Sequence, residues 1–306
     1  MKRVVTIVVL AWVLSISSMS VLANSHRTGF TIKFQNIESN LTILTTTVMA
    51  GTSIHINTVA DAVSSDGELL RSGNNWIWTP PLLPGRSELK FSRNGETIVL
   101  NVFILTPFQN KVAENLFGYR IGRYATTLFR GLNSYAAPQG FINLTHGPAN
   151  LQISPHFTLG QFISKQQPGH DPSFILVRTE LLIKLEALLE AANAKGWTAD
   201  TFFVMSGFRT PWYNASIGNH TTASRHLYGG AADIWIDNDR DGVMDDLNED
   251  GQINKKDARE LAKLAESLAT RGGSNWPAGG IGIYPATSAH GPFVHIDARG
   301  YRARWE

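Results

Sequence analysis

The sequence predicts an α+β protein in which a small all-β, sandwich-like domain precedes a mixed C-terminal domain. Three observations carry this expectation. Residues 25–106 are built from short runs that alternate or enrich β-branched residues, punctuated by turn signals. Residues 154–306 hold two stretches with helical apolar spacing, Val177–Lys195 and Ala258–Arg271, among short apolar runs that read as strands. These helices and strands do not follow a βαβ rhythm, which favours α+β over a doubly wound sheet. With 306 residues, the chain is long enough for two domains with separate cores.

The chain opens on an address. Lys2 and Arg3 precede the apolar run Val4–Leu14, and Val21-Leu22-Ala23 supplies a small-residue cleavage pattern, so residues 1–23 read as a signal peptide. The run is short for a membrane span, and no second stretch of about 20 apolar residues follows. The expectation is a periplasmic or secreted protein whose mature form does not span a membrane. Removing Lys2 and Arg3 takes the basic count from 27 to 25, equal to the 25 acids, which argues against nucleic acid as a partner. The absence of cysteine excludes disulfides, thiolate metal sites and cysteine catalysis.

Within residues 24–106, Phe30–Phe34, Leu41–Thr45 and Ser53–Ile56 read as strands. Asn94-Gly95 between two β-rich runs is a hairpin signal. Trp76 and Trp78 share one strand face and are expected in the core, with a glycan-stacking surface as the other reading. Residues 107–153 show no sustained period and read as a connector packed against its neighbours; His146 within it is expected at the surface or in packing. In residues 154–306, Val177–Lys195 presents Leu181, Leu185, Leu188 and Ala192 as one stripe. Phe202–Met205 reads as a buried strand leading into the loop Ser206-Gly-Phe-Arg-Thr-Pro. The second helix presents Leu261, Leu264, Ala265 and Leu268, with Asp257 and Glu260 as a capping box and Gly272 as its stop. Gly280–Tyr284 and Phe293–Asp297 close the domain as strands.

The chemistry centres on Ser224–Ile236. His226 and Asp233 lie seven residues apart, which on one helix is about 10.5 Å. That is too far to share a metal at about 2.0–2.2 Å. Gly229-Gly230 can turn the chain back, so that Ala231–Ile236 runs as a buried strand and both side chains converge. With His295 they make a His, Asp, His set, and three protein ligands with an open fourth position suit catalytic Zn²⁺. Arg209 sits in a Gly-containing loop and can donate two parallel hydrogen bonds to an oxyanion or carboxylate.

Several of these words in order, Ser206-Gly-Phe-Arg-Thr-Pro-Trp-Tyr-Asn, Ser224-Arg-His-Leu-Tyr-Gly-Gly-Ala-Ala-Asp-Ile, Gly280-Ile-Gly-Ile-Tyr-Pro and Phe293-Val-His-Ile-Asp, closely resemble the zinc D-alanyl-D-alanine carboxypeptidase and murein endopeptidase family, the LAS group. The resemblance covers about Ser154 to Glu306. It implies a LAS-type domain with an antiparallel central sheet, zinc held by His226, Asp233 and His295, and substrate contacts from Arg209 and Ser224. It also implies hydrolysis of D-amino-acid-containing bonds in peptidoglycan stem peptides, as carboxypeptidase or endopeptidase, through a zinc-activated water. Family members commonly carry an acid three residues before the last ligand or a His two before it; here those positions are Pro292 and Phe293. Asp297 and His290 are the candidate general bases, and Asp297 can equally orient His295. The alternative function is a non-catalytic wall-binding or calcium-stiffened adhesion module on the same fold.

A calcium site is also written in the sequence. Asp246, Asn248, Asp250, Gln252, Asn254 and Asp257 stand at the oxygen-ligand positions of an EF-hand-like or dockerin-like loop, with Gly251 at the turn. Asp257 replaces the usual bidentate Glu. Just before it, Asp237, Asp239, Asp241 and Asp245 repeat the pattern and overlap the second loop, leaving one or two ions open. Eight acids between Asp237 and Asp257 repel one another without a cation.

Overall fold

The computed structural model describes residues 26–306 apart from positions 111, 272, 274 and 275. The signal peptide and the Gly272 helix stop lie outside the described residues. Mixed α+β architecture is observed, mostly sheet with few helices.

Residues 26–104 form two sheets over one core. One sheet runs in the order Ile37–Leu41, Arg27–Phe34, Ile54–Asn57, Asn75–Thr79, Glu68–Ser72. The other runs Ile43–Val48, Glu96–Ile104, Gly85–Arg93, Asp61–Ser64. Alternation sets the faces: in Arg27–Phe34, Phe30, Ile32 and Phe34 point inward and their neighbours outward. They meet Leu89, Phe91, Leu100 and Val102 of the opposite sheet. Asn94 and Gly95 form a two-residue turn between the register partners Arg93 and Glu96, both with positive φ (52° and 82°), the twist that matches a hairpin. Trp76 and Trp78 are buried in this core.

The site is carried by a second five-stranded sheet, ordered Phe203–Ser206, Ala231–Trp235, Phe293–Asp297, Gly280–Tyr284, Ala303–Trp305. The first four are antiparallel; Ala303–Trp305, which the sequence did not suggest as a strand, joins Gly280–Tyr284 in parallel. Phe203–Ser206 lies at the sheet edge and is not buried as expected; Phe203 is exposed on one side and stacked on Trp235. Helix α1 (Thr179–Ala194) is buried nearly all round instead of along one stripe. The reason is that it serves two cores: Leu181, Leu182, Leu185 and Leu188 enter the C-terminal core, while Ile183 enters the sandwich core. Thr179 Oγ1 donates to the Thr45 carbonyl at 2.6 Å across this junction. The 107–153 stretch packs against its neighbours as expected: Tyr119, Ile121, Tyr135 and Phe141 lie in the C-terminal core, and Gly140–Asn143 pairs with both Thr106–Pro107 and Phe174–Ile175.

A short helix α2 (Pro211–Ser216) is capped by Thr210, whose hydroxyl accepts from the Tyr213 N–H. Helix α3 (Lys255–Arg271) packs on Gly280–Tyr284 and Phe293–Asp297. It begins three residues earlier than its apolar spacing suggests. Asn254 accepts from the Lys256 N–H, and Asp257 reaches back to the Asn254 N–H at 2.8 Å, so the capping box is Asn254/Asp257, not Asp257/Glu260.

Candidate metal centre

Local chain geometry brings the triad together. His226 sits on a single 3₁₀ turn, Arg225–Tyr228, which ends at Gly229 in the left-handed region (φ 64°). A Cβ on Gly229 would also lie 2.7 Å from the Leu176 carbonyl, so no other residue makes this reversal without strain. The chain then enters Ala231–Trp235, where Asp233 is the direct register partner of His295 on Phe293–Asp297. Val294 and Ile296 point into the core; His295 and Asp297 share the opposite face.

His295 Nδ1 lies 2.8 Å from Asp233 Oδ1, and His226 Nε2 lies 3.3 Å from each of them. All three residues are buried. Fixed hydrogen bonds set the ring nitrogens. His226 Nδ1 meets the Gly207 carbonyl at 2.7 Å, and a carbonyl only accepts, so Nδ1 carries the proton and Nε2 turns a lone pair to the centre. His295 Nε2 donates to Asp297 Oδ2 at 2.9 Å, leaving Nδ1 toward Asp233. Two imidazole nitrogens and one carboxylate oxygen therefore converge, each within 4.8 Å of the others. Lone pairs so placed call for positive charge between them. A mixed nitrogen and oxygen set of this kind can hold a divalent cation such as Zn²⁺.

The electrostatics agree for His226 and Asp233. Burial lowers the pKa of His226, keeping it neutral as a ligand must be. Burial opposes charge on Asp233, but the His226 and His295 rings outweigh it and hold the carboxyl well below its usual range. Burial likewise opposes charge on His295, yet hydrogen bonds to the Asp233 and Asp297 carboxylates raise its pKa.

Asp297 is fully buried and saturated. Its Oδ1 accepts from the Gly280 N–H (2.8 Å) and the Arg299 N–H (3.1 Å), and its Oδ2 from His295 and Arg299 Nη2 (2.5 Å), with Arg299 Nε bridging both. Burial raises its pKa, but His295 and Arg299 overcome this and depress it far below the carboxylate range. Lys184 of α1 donates to the Asp297 backbone carbonyl at 2.7 Å, and burial pushes its ammonium down to about 7. Asp297 thus faces away from the convergence, on the far nitrogen of His295. Arg209 is committed too: Nε donates to Ser206 Oγ and Nη2 to Asp233 Oδ2, both at 2.7 Å. That leaves Oδ1 of Asp233 for the centre.

The triad opens into a cavity of about 430 Å³ that also reaches Ser224, Arg299 and Trp305. Ser224 stands at the start of the 3₁₀ turn that carries His226. His290 lies in a neighbouring cavity with Arg209 and Asp233; its Nδ1 meets the Gly291 carbonyl at 2.8 Å. His146 is exposed, away from the triad cavity. Arg299 and Trp305 were missed by sequence reasoning. Spacing of Arg299 two residues after Asp297 was a usable signal; nothing local marked Trp305, which lies over Gly282, where a Cβ would come within 2.4 Å of its ring.

In the acidic loop, Asp237, Asp239 and Asp245 come together, whereas Asp241 accepts from the Val243 N–H. Burial and the neighbouring Asp239, Asp237 and Asp241 charges raise the Asp245 pKa. The second loop is arranged differently. Asp246 and Asn248 accept loop N–H groups, Asp250 pairs with Lys256 at 2.8 Å, and Asn254 is the helix cap. Asp257 is turned away from a ligand role: it is buried and accepts the N–H groups of Leu247, Asn248 and Asn254. Among the described residues, Gln252 bonds through its backbone only.

Fold and site together define a mixed α+β protein with a buried, three-donor cluster able to hold a metal ion. The chain matches no protein-family model and no curated protein sequence. Among the described residues, no helix is long and apolar enough to cross a membrane.

Proposed function

We propose that the protein is an exported zinc-dependent peptidase of the LAS type, acting on peptidoglycan peptides. The observation that supports it most is the tautomer-fixed convergence of His226 Nε2, His295 Nδ1 and Asp233 Oδ1 beside a cavity. His226, Asp233 and His295 would hold the ion, which when bound supplies Lewis acidity and lowers the pKa of a coordinated water. Asp297 is the residue that orients His295; with its lone pairs engaged it is not the base. His290 takes that role, since Nδ1 is held by Gly291 and Nε2 is left to accept a proton and return it to the leaving amine. Arg209 fixes Asp233, and its remaining nitrogen, Nη1, faces substrate together with Ser224. The convergence of Asp237, Asp239 and Asp245 supports a calcium ion in the first loop rather than in 246–257.

The non-catalytic module is favoured by one observation: among the described residues, Asp233 is the only carboxylate lining the triad cavity. One experiment decides between the readings. Purified peptidoglycan is digested with the mature chain and with His226→Ala, products are read by mass spectrometry, and metal content is measured. Peptide cleavage by the wild type alone, with one zinc per chain, is expected. Zinc bound with the wall intact returns the reading to a binding module, and no zinc bound ends both the ligand assignment and the peptidase.

A further inference from the structure

We propose a second metal site, for Cu²⁺, at the mature N terminus: Asn24, Ser25 and His26 supply four nitrogens in a plane, and His156 stands beside them as a further donor. This rests on export with cleavage after Ala23 and is independent of the zinc peptidase. Cutting there leaves Asn24-Ser25-His26 as the first three residues. A histidine third from a free α-amine is a chelator through its covalent connectivity alone. The α-amine, the amide nitrogens of Ser25 and His26, and the His26 imidazole follow one another along the chain and close small fused rings around one ion. Binding displaces the two amide protons to water; neither residue is a proline, so both amides have a proton to give. A square of nitrogens also selects the metal. It suits Cu²⁺ and Ni²⁺, and Cu²⁺ binds the more tightly of the two. Zn²⁺ has no such preference and favours a tetrahedron, which the three donors and open position at His226, Asp233 and His295 can supply.

The described residues hold His26 where it can do this. Its carbonyl accepts from the Thr42 N–H at 2.9 Å, and the next residue, Arg27, is clamped to Glu190 of α1 at 2.7 and 2.9 Å. His26 is exposed, yet its ring rests edge-on against His156, with ring centroids 4.3 Å apart. Partial burial and then the neighbouring His156 lower the His26 pKa, which leaves the ring in the neutral form that binds a metal. His156 is oriented from behind. Its Nδ1 meets Glu186 Oε2 at 2.6 Å, its backbone N–H donates to Glu186 Oε1 at 2.9 Å, and the Glu186 side chain is fully buried. A carboxylate on one imidazole nitrogen, with the other nitrogen left for the ion, is how metal-binding histidines are commonly held. In His156 that other nitrogen is Nε2. The zinc chemistry uses neither of these rings.

The test sequences the exported chain from its N terminus, then titrates the mature chain with Cu²⁺ beside a chain carrying one extra Gly before Asn24. The extension keeps every side chain, the zinc cluster included, but moves His26 to fourth place and turns the Asn24 amine into an amide. Any copper taken by the zinc cluster is therefore common to both chains, and the difference reads the N terminus. Chelator competition gives the affinity; visible absorption and electron paramagnetic resonance give the geometry. The mature chain should show a square-planar, nitrogen-coupled spectrum that the extended chain lacks, and should bind Cu²⁺ at least about a hundredfold more tightly. His26→Ala should lose the same spectrum with zinc content unchanged, and excess Zn²⁺ should leave the wild-type spectrum in place. His156→Gln should keep the plane but bind Cu²⁺ about tenfold more weakly. A first residue other than Asn24, or equal copper binding by the extended chain, overturns the inference and leaves the zinc centre standing. Unchanged affinity in His156→Gln overturns the part given to His156. Failure of the peptidase reading shows instead as missing zinc or uncut peptidoglycan, in a measurement that copper does not enter.

Discussion

Replacing Asp297 with Asn changes one acceptor oxygen into a donor and removes one charge at a point where five N–H donors converge. Whichever way the amide sits, the rearrangement is costly. With its oxygen toward His295, the amino group faces the Gly280 and Arg299 N–H groups; reversed, it faces His295 Nε2 and Arg299 Nη2. At least two buried donors lose their acceptor, at about 1–3 kcal/mol each. Arg299 also loses its ion-pair partner, so a total near the 3–5 kcal/mol typical of a broken buried pair is expected. Metal affinity should fall about 10- to 100-fold, because His295 is no longer held in the tautomer that presents Nδ1. Chelator competition measures the affinity, and urea unfolding with and without zinc measures the stability. The pH dependence has a definite sign. A carboxyl whose folded pKa is depressed contributes stability above its unfolded pKa and loses it as the pH falls toward the folded pKa, so the gap between wild type and variant should begin to narrow below about pH 4 and keep narrowing as the pH falls further. Wild-type zinc affinity in Asp297→Asn would refute the orienting role.

Three other outcomes follow from the geometry. Calcium at about 100 times its Kd should stabilise the chain by about 2.7 kcal/mol, seen as a rise of roughly 5 °C in Tm. Asp237→Asn and Asp245→Asn should abolish that rise, whereas Asp257→Asn should cost about 1 kcal/mol with or without calcium because it breaks a cap. Gly282→Ala drives a methyl into Trp305 and should cost about 1–3 kcal/mol by urea unfolding; an unchanged midpoint contradicts the close approach. Burial opposes charge on His156, but the Glu186 carboxylate 2.6 Å away raises its pKa. This contribution is complete below the unfolded value of about 6.5 and is lost as the pH rises through the folded pKa. The stability difference between wild type and His156→Gln should therefore shrink from pH 6 to pH 9, and a constant difference would remove His156 from the account.

What could be read without coordinates was whatever short-range chemistry decides. The Asn94-Gly95 hairpin, the reversal at Gly229-Gly230 and the strand that follows each depend on local φ preferences, and each is observed. The meeting of Asp233 and His295 depends on register across 62 residues, and only the agreement of several motifs pointed to it. The remainder was illegible for stated reasons. Helix α1 looked one-sided because a sequence does not say that a second core lies behind Ile183. The start of α3 was misplaced because Asn254 and Asp257 resemble calcium ligands and helix caps equally well, and the N–H groups claim them here. Ala303–Trp305 is too short to show a strand pattern, and its pairing with Gly280–Gly282 is a tertiary event.

The sharing of α1 has a consequence for how this protein can be divided. Thr179 and Ile183 are inside the N-terminal half, Glu186 holds Ser154 and His156, and Lys184 grips the strand that bears His295. A cut at residue 106 or 153 would uncover an isoleucine and leave buried polar groups without their partners. Grafting the C-terminal half onto another carrier would transplant the His226, Asp233 and His295 cluster without the beam that levels it.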